Sequence, residues 1–229
     1  ALLKSNTLAI NGALLHMLNH SLIKLVLFLV AGVIFMKTES LDLNEIRGYG
    51  RNKPLLHLAF GIGAFSIAGI PLGSGYVSKT LLHESLVEYL EEILGSANYG
   101  FVKTMEVLFL VAGGMTLAYM LKLYIAVFWE KGAAEKKPSC KPVTLSVILV
   151  PAAILLVLGL LPNLLMDAIA KFGVLTEAVP TGEHHGAVNY FAWANLKGAA
   201  ISVSIGLILY FGLVRFLLMK KEGKQKVYV

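Results

Sequence analysis

The chain of 229 residues is 57% hydrophobic and only 15% charged, and its mean hydropathy is +0.73. Soluble domains carry about 25% charged residues, so this composition predicts an integral membrane protein in contact with lipid. The net charge of +6 comes mostly from basic residues in loops between apolar spans, which argues against a nucleic-acid-binding surface. A single cysteine, Cys140, excludes an internal disulfide framework and a cysteine-based metal cluster.

The first predicted membrane span covers residues 13–36 and carries three titratable side chains on one face. His16, His20 and Lys24 are spaced i, i+4 and i+8, which places them in one stripe about 6 Å apart. A lysine near the centre of a membrane helix costs about 2.5–3.5 kcal/mol to insert, so we expect the stripe to face protein or water. Each group alone could be interfacial or snorkelling, but three at helical spacing favour a proton path.

The second predicted span, residues 54–90, is too long for one straight crossing. Proline removes a helical donor and glycine frees the backbone, so we expect the helix to break in the middle of this span. Broken backbone at membrane depth is tolerated only inside protein or beside water, and transporters use it at ion sites. The alternative is a simple loop between two short helices. A helical pattern carrying Lys79 resumes after the break, whose residues are Gly69, Pro71, Gly73 and Gly75.

Three further spans are predicted at residues 104–129, 143–165 and 195–219. Lys122 in the first of these could either snorkel to the interface or join the proton path. Glu106 lies two residues into the same span and is predicted to be interfacial. The last span has small residues every four positions, a pattern typical of close helix contact. These residues are Gly198, Ser202 and Gly206.

The segment between the last two spans offers little chemistry. Residues 165–179 are predicted to form a short amphipathic helix on the outer surface. The adjacent histidines His184 and His185 are weak evidence for a metal site, so we expect none. No phosphate-binding loop, Ser/His/Asp arrangement or redox motif occurs in the chain. We therefore expect no cofactor and no covalent chemistry in this chain, and leave open whether it belongs to an enzyme.

Loop charges predict the orientation. The segments 37–53, 131–141 and 220–226 hold four Lys or Arg residues each, twelve in all, and they share one side if five spans each cross once. The opposite side holds Lys4, Lys103, Lys171 and Lys197. The positive-inside rule then places the C-terminus in the cytoplasm, and we expect a prokaryotic cytoplasmic membrane.

Four segments carry a family resemblance in order and spacing. They are HMLNHSLIKLVLFLVAG, DLNEIRGYGRNKP, GIGAFSIAGIPLGSGYVSK and AYMLKLYIAVFWEK. Together they resemble the antiporter-like subunits of respiratory complex I. The same family includes membrane subunits of energy-converting NiFe hydrogenases, of formate hydrogenlyase and of Mrp-type Na+/H+ antiporters. The resemblance covers roughly residues 12–165.

This resemblance implies a fold as well as a family. It implies an all-α, polytopic transmembrane bundle of about five spans, one of them discontinuous, as part of an inverted-repeat antiporter-like fold. Residues 1–130 would be the C-terminal part of the second repeat. Residues 131–229 would add C-terminal transmembrane helices and an outer amphipathic loop. The family's first repeat has no counterpart in the sequence, so we expect a fragment of a longer protein, with a split gene as the alternative.

The resemblance also implies a function. The chain would be a subunit that translocates protons, or alternatively Na+, in a redox-driven membrane complex. Lys24 and Lys79 would be the main carriers, His16 and His20 would bridge them through water, and Lys122 would lie on the next helix. Its partners would be lipid and other membrane subunits. The alternatives are a subunit of a stand-alone Mrp-type Na+/H+ antiporter and a structural bundle whose charges merely pair.

Overall fold

Long apolar helices dominate the computed structural model, which describes residues 7–163, 189–222 and 225–228. The predicted outer helix at 165–179 and the histidines 184 and 185 lie outside these residues. The helices are α1 (Thr7–Thr38), α2 (Pro54–Ala68), α3 (Ser74–Glu92), α4 (Tyr99–Tyr124), α5 (Pro142–Leu160) and α6 (Trp193–Ile208). Helix α4 continues as π-helix over Ile125–Trp129 and α6 over Leu209–Leu218, and Ala133–Lys136 forms a 3-10 turn.

The helices account for the predicted membrane crossings. Within the described residues, four stretches are long and apolar enough to cross a bilayer: Leu8–Thr38, Tyr99–Trp129, Pro142–Leu160 and Asn195–Leu218. Helix α2 is apolar but has only 15 residues, about 22 Å of helix, so it needs α3 to complete a crossing. The expected all-α bundle of about five spans with one discontinuous helix is thereby confirmed.

Apolar side chains of α1, α2 and α5 form the main core. Val26 and Val30 of α1 and Ala59 of α2 are fully buried in it, together with Ala152 and Leu155 of α5. Helix α5 stays helical across Pro151, so this proline does not end the span. Many large apolar side chains on the outer helix faces are exposed, which suits a surface in contact with lipid or with other membrane helices.

Helices α4 and α6 approach closely, as the small residues of the last span predict. The Ser202 hydroxyl donates to the Leu110 carbonyl oxygen at 3.0 Å. A Cβ added at Gly206 would lie 2.7 Å from the Leu117 Cβ, so only glycine fits there without displacement. Gly114 on the facing helix is equally crowded by Ile205.

The three basic segments meet at one end of the bundle, called the basic end from here on (residues 39–53, 130–141, 220–222 and 225–228). Glu130 lies at its centre and pairs with Arg47 at 3.4 Å and with Arg215 at 3.7 Å. Tyr228 is buried, donates its hydroxyl to Glu130 at 3.0 Å, and binds Asn44 through its backbone. Because all three segments converge, an even number of crossings separates each segment from the next.

A short hairpin follows the last helix. Strands β1 (Lys220–Glu222) and β2 (Gln225–Val227) pair antiparallel, with Lys220 opposite Val227. The sequence did not predict it, since three charged residues in a row lack the alternating apolar pattern of a strand.

A buried lysine fixes the start of α2. The Lys53 amine donates to the Tyr49 carbonyl oxygen at 2.5 Å and lies 4.1 Å from the centre of the Tyr49 ring. Burial lowers the pKa of Lys53 and raises the pKa of Tyr49 to about 12. These contacts tie the loop before α2 to the first turn of the helix that leads to the break.

Candidate functional site

The discontinuity between α2 and α3 is the centre of the candidate site. Gly69 ends α2 in the left-handed region, with φ of 76°, and its N–H binds the Ser66 carbonyl oxygen at 3.0 Å. The backbone resumes helical geometry after Gly73, which has an extended conformation. Leu72, between them, also has a positive φ of 76°, which is strained for a residue with a branched side chain.

Pro71 explains how Lys79 reaches the break. In a continuous helix the N–H of residue 71 would bind the Ile67 carbonyl oxygen, but proline has no N–H. The Lys79 amine occupies that place and donates to the Ile67 oxygen at 2.8 Å. The lysine in the second turn of α3 is thus held by a carbonyl group that the proline leaves open at the end of α2.

Two features of the break require glycine at position 69. Its φ of 76° favours glycine, and an added Cβ would lie 2.7 Å from the Lys79 Cδ. Gly75 is also crowded, because a Cβ there would overlap the Ser66 carbonyl group. The four break residues of the sequence analysis therefore have distinct roles: Gly69 for conformation and space, Pro71 for the open carbonyl, Gly73 for the extended start of α3, and Gly75 for close approach.

The stripe on α1 faces α3 beside the break. His16 Nδ1 and the Ser78 hydroxyl are hydrogen bonded at 3.0 Å, and Ser78 directly precedes Lys79. The His16 and His20 rings are 5.7 Å apart between centroids. The sequence analysis missed Asn19, whose buried amide donates to the Ser74 carbonyl oxygen at 2.8 Å and fixes α1 against the start of α3.

The two remaining lysines have other neighbours. Lys24 is half-buried, and its Nζ is 5.8 Å from the centre of the Phe28 ring, which is 70% exposed. Lys122 lies near the basic end, with its Nζ 5.6 Å from the centre of the Tyr228 ring. The structure therefore brings the His16–His20 pair to the element that carries Lys79, and places Lys122 at a different depth.

Two cavities flank the break. One of about 160 Å³ lies among α3, α4 and α6 and is lined by Lys79, His83 and Ser202, among others. The other, of about 530 Å³, is mainly apolar and reaches from Pro54 to Gly73 along α2. In its wall His57 Nε2 and the Tyr124 hydroxyl are hydrogen bonded at 2.6 Å, a pair that the sequence analysis did not identify.

Gly159 on α5 was also missed as a site residue. A Cβ there would lie 2.8 Å from the Gly73 carbonyl carbon and 2.8 Å from the Ser74 nitrogen. Helix α5 therefore packs directly against the broken backbone. A single glycine among large apolar residues indicates a close helix contact at Gly159. The spacing of the sequence does not show that the contacting segment is the break.

Gly69→Ala is expected to lower thermal stability more than Gly95→Ala, because it both strains the backbone by about 1–2 kcal/mol and displaces the Lys79 side chain. Gly95→Ala is the matched control. Gly95 also has a positive φ, 85°, but an added Cβ there meets nothing within 4 Å. Thermal unfolding of the two variants measures the difference. Equal losses of stability in both variants would contradict the role of the Gly69–Lys79 contact.

Comparison with known proteins gives this geometry a context. Residues 1–104 match the family model described as "NADH:quinone oxidoreductase/Mrp antiporter, TM". An Na+/H+ antiporter protein of Alkalihalophilus pseudofirmus is 27% identical over 230 aligned positions, which cover 96% of this chain and 28% of that protein. Formate hydrogenlyase subunit 3 of Escherichia coli is 29% identical over 162 residues, which cover 66% of this chain and 25% of that protein.

A solved structure is similar over nearly the same extent. The Mrp complex from Dietzia sp. DQ12-45-1b matches with a TM-score of 0.69 and 25% sequence identity, over 91% of this chain and 22% of the matched chain. This chain thus spans between 22% and 28% of the length of these three relatives.

Proposed function

We propose that this chain, whose residues 1–104 match the NADH:quinone oxidoreductase/Mrp antiporter transmembrane family model, is part of a proton-translocating membrane subunit in which Lys79 and Lys24 carry the proton. One contact supports this proposal most directly. The Lys79 amine binds a carbonyl oxygen that the broken helix leaves open, and it borders a cavity whose lining includes the polar side chains of Thr80 and Ser202. An amine held by one neutral acceptor next to water can give up and regain a proton without dismantling an ion pair.

The histidines would connect the two amines. His16 reaches α3 beside Lys79, and His20 follows one turn later toward Lys24. Each imidazole can accept a proton at one nitrogen and release it from the other. A charge on one member of such a row disfavours a charge on the next, so protons move through it in sequence. Lys122 would then exchange protons with the same row from the basic end.

The complex is the next part of the proposal. The solved Mrp complex and one Na+/H+ antiporter protein align over 91% and 96% of this chain, and the formate hydrogenlyase protein aligns over 66%. This wider coverage favours membership of an Mrp-type Na+/H+ antiporter, assembled with other membrane subunits. The second candidate is a redox-driven complex, which the hydrogenlyase similarity favours. In either case residues 1–130 would complete an antiporter-like repeat, and residues 131–229 would add the C-terminal helices.

Proton movement in vesicles separates these candidates. The complete complex, purified through this chain, is reconstituted with a pH-sensitive dye inside. We expect a Na+ gradient alone to drive proton movement, without any electron donor. Proton movement that requires a donor would instead assign the chain to a redox-driven complex. Absence of proton movement under both conditions, with the complex intact, would overturn the proposal.

The C-terminus is expected in the cytoplasm, because the three basic segments share one end of the bundle. In a Cys140→Ser background, Lys136→Cys places a thiol at the basic end and Asn98→Cys places one between α3 and α4; both positions are exposed. An impermeant maleimide added to intact cells should label only the second variant. Labelling of the first variant alone would reverse the orientation.

A further inference from the structure

We propose that His83 and Glu106 carry the proton between Lys79 and water at the end of the bundle opposite the basic end. This inference rests on the proposed function, in which Lys79 is a carrier. The sequence analysis did not select His83 and expected Glu106 to be interfacial. In the structure Glu106 is only 8% exposed, and its carboxylate faces His83.

The His83 ring is held in a fixed orientation between two helices. It lies one turn after Lys79 on the same face of α3, and it stacks on Phe109 of α4 with ring centroids 6.2 Å apart. Gly198 of α6 gives it room, since an added Cβ would lie 3.2 Å from the His83 Cε1 and 3.3 Å from Nδ1. The Nδ1 edge therefore faces α6, while Nε2 lies 3.4 Å from Glu106 Oε1.

A water-sized passage joins Lys79 to this ring. The cavity of about 160 Å³ is lined by both side chains, and its polar walls come from Thr80, Thr116 and Asn195. Water occupies about 30 Å³ in the liquid, so the cavity has room for several molecules with hydroxyl and amide partners. Water between the Lys79 amine and the imidazole would complete the first half of the path.

The second half begins at the carboxylate. Glu106 binds the Lys103 amine, and the Lys103 side chain is 50% exposed. A further cavity, of about 240 Å³, lies beyond the pair and is lined by Glu91, Tyr99, Lys103 and Glu106. Glu106 thus separates an inner cavity that contacts His83 from an outer one near the ends of α3 and α4, where water has access.

The transfer balances without any co-reactant. The Lys79 ammonium gives a proton to cavity water, and that water protonates His83 at Nδ1. His83 releases its Nε2 proton to the Glu106 carboxylate, and the resulting carboxylic acid releases a proton to outer water. Movement of the remaining imidazole proton back to Nε2 resets the ring. The same steps run in reverse for uptake.

A purely structural ion pair between α3 and α4 is the competing explanation, and three variants separate the two. Glu106→Gln and His83→Gln keep hydrogen-bonding groups but cannot exchange protons in this way. We expect each to lower proton flux about tenfold or more per assembled complex. Lys103→Gln leaves the His83–Glu106 contact between α3 and α4 in place and removes only the exposed amine beside Glu106 on α4, so we expect flux within about twofold of the unmodified complex.

Chemical rescue distinguishes a proton carrier from a structural residue, because a small acid can restore proton flux only where a carrier is missing. Azide is a small weak acid that carries protons, and we expect it to restore flux in Glu106→Ala but not in Lys79→Ala. Thermal stability of the assembled complex is measured for every variant. If a Glu106 variant fails to assemble, His83→Gln decides the question alone.

The outcomes also separate this inference from the proposed function. Near-normal flux in Glu106→Gln and His83→Gln, with none in Lys79→Ala, would overturn the His83–Glu106 path and leave the proposed function standing. Equal losses in Lys103→Gln and Glu106→Gln, without azide rescue, would assign Glu106 a structural role as the partner of Lys103 and overturn the path. Near-normal flux in Lys79→Ala would overturn the proposed function itself.

Discussion

Lys79→Ala is expected to abolish ion translocation while the protein remains assembled. The substitution removes the amine that binds the Ile67 carbonyl oxygen and borders the inner cavity. That oxygen can then bind cavity water, so the loss of stability should stay near 1 kcal/mol, about the net value of a typical hydrogen bond. Proton flux in vesicles and the amount of complex on a native gel measure the two effects separately.

Lys136→Ala is the control for Lys79→Ala, because Lys136 is an exposed lysine at the basic end. It removes the same charge without touching the break, so flux should be unchanged. A Lys79→Ala complex that retains more than about half of the unmodified flux would contradict the expectation, since an essential proton carrier contributes about 100-fold or more.

Lys24→Ala is expected to have a similarly large effect. Lys24 extends the His16–His20 row by one turn, and its Nζ lies near the exposed Phe28 ring. Truncation leaves an apolar gap of one helical turn, which a proton cannot cross by a single hydrogen bond. His16→Gln should reduce flux less, because water and the glutamine amide can replace the contact to Ser78.

Flux measured on the same assembled complex checks the Lys24 expectation. Phe28→Leu is the matched control, because it removes the aromatic neighbour of Lys24 and keeps an apolar side chain. We expect Phe28→Leu to transport normally. Loss of flux in Phe28→Leu together with normal flux in Lys24→Ala would show that packing at this surface matters and the amine does not.

The helices and the discontinuity were predictable from the sequence because both depend on local properties. Apolar run length fixes a crossing, and the Gly69–Pro71–Gly73 pattern fixes where regular hydrogen bonding stops. Only one side of the contact between Lys79 and Ile67 was predictable from the sequence. Proline four residues after Ile67 leaves that carbonyl open, but only the tertiary structure shows that the Lys79 side chain turns back to reach it.

Contacts between helices were less predictable from the sequence. His83 and Glu106 are 23 residues apart, and their pairing depends on the rotation of α3 and α4 about their own axes. Helix α4 is apolar over most of its length, so the sequence alone does not show which of its faces turns toward α3. The contact of Gly159 with the break has the same origin. The hairpin before Tyr228 escaped prediction because one buried tyrosine, rather than a strand pattern, anchors it.

Proton flux through Lys79→Arg tests the central claim most directly. An arginine guanidinium keeps the positive charge and can still donate to the Ile67 carbonyl oxygen, but it does not release its proton under physiological conditions. If Lys79 is a proton carrier, vesicles containing the assembled Lys79→Arg complex should show no more flux than those containing Lys79→Ala. Flux close to that of the unmodified complex would contradict the account, because it would make Lys79 a fixed charge and require the proton to move elsewhere.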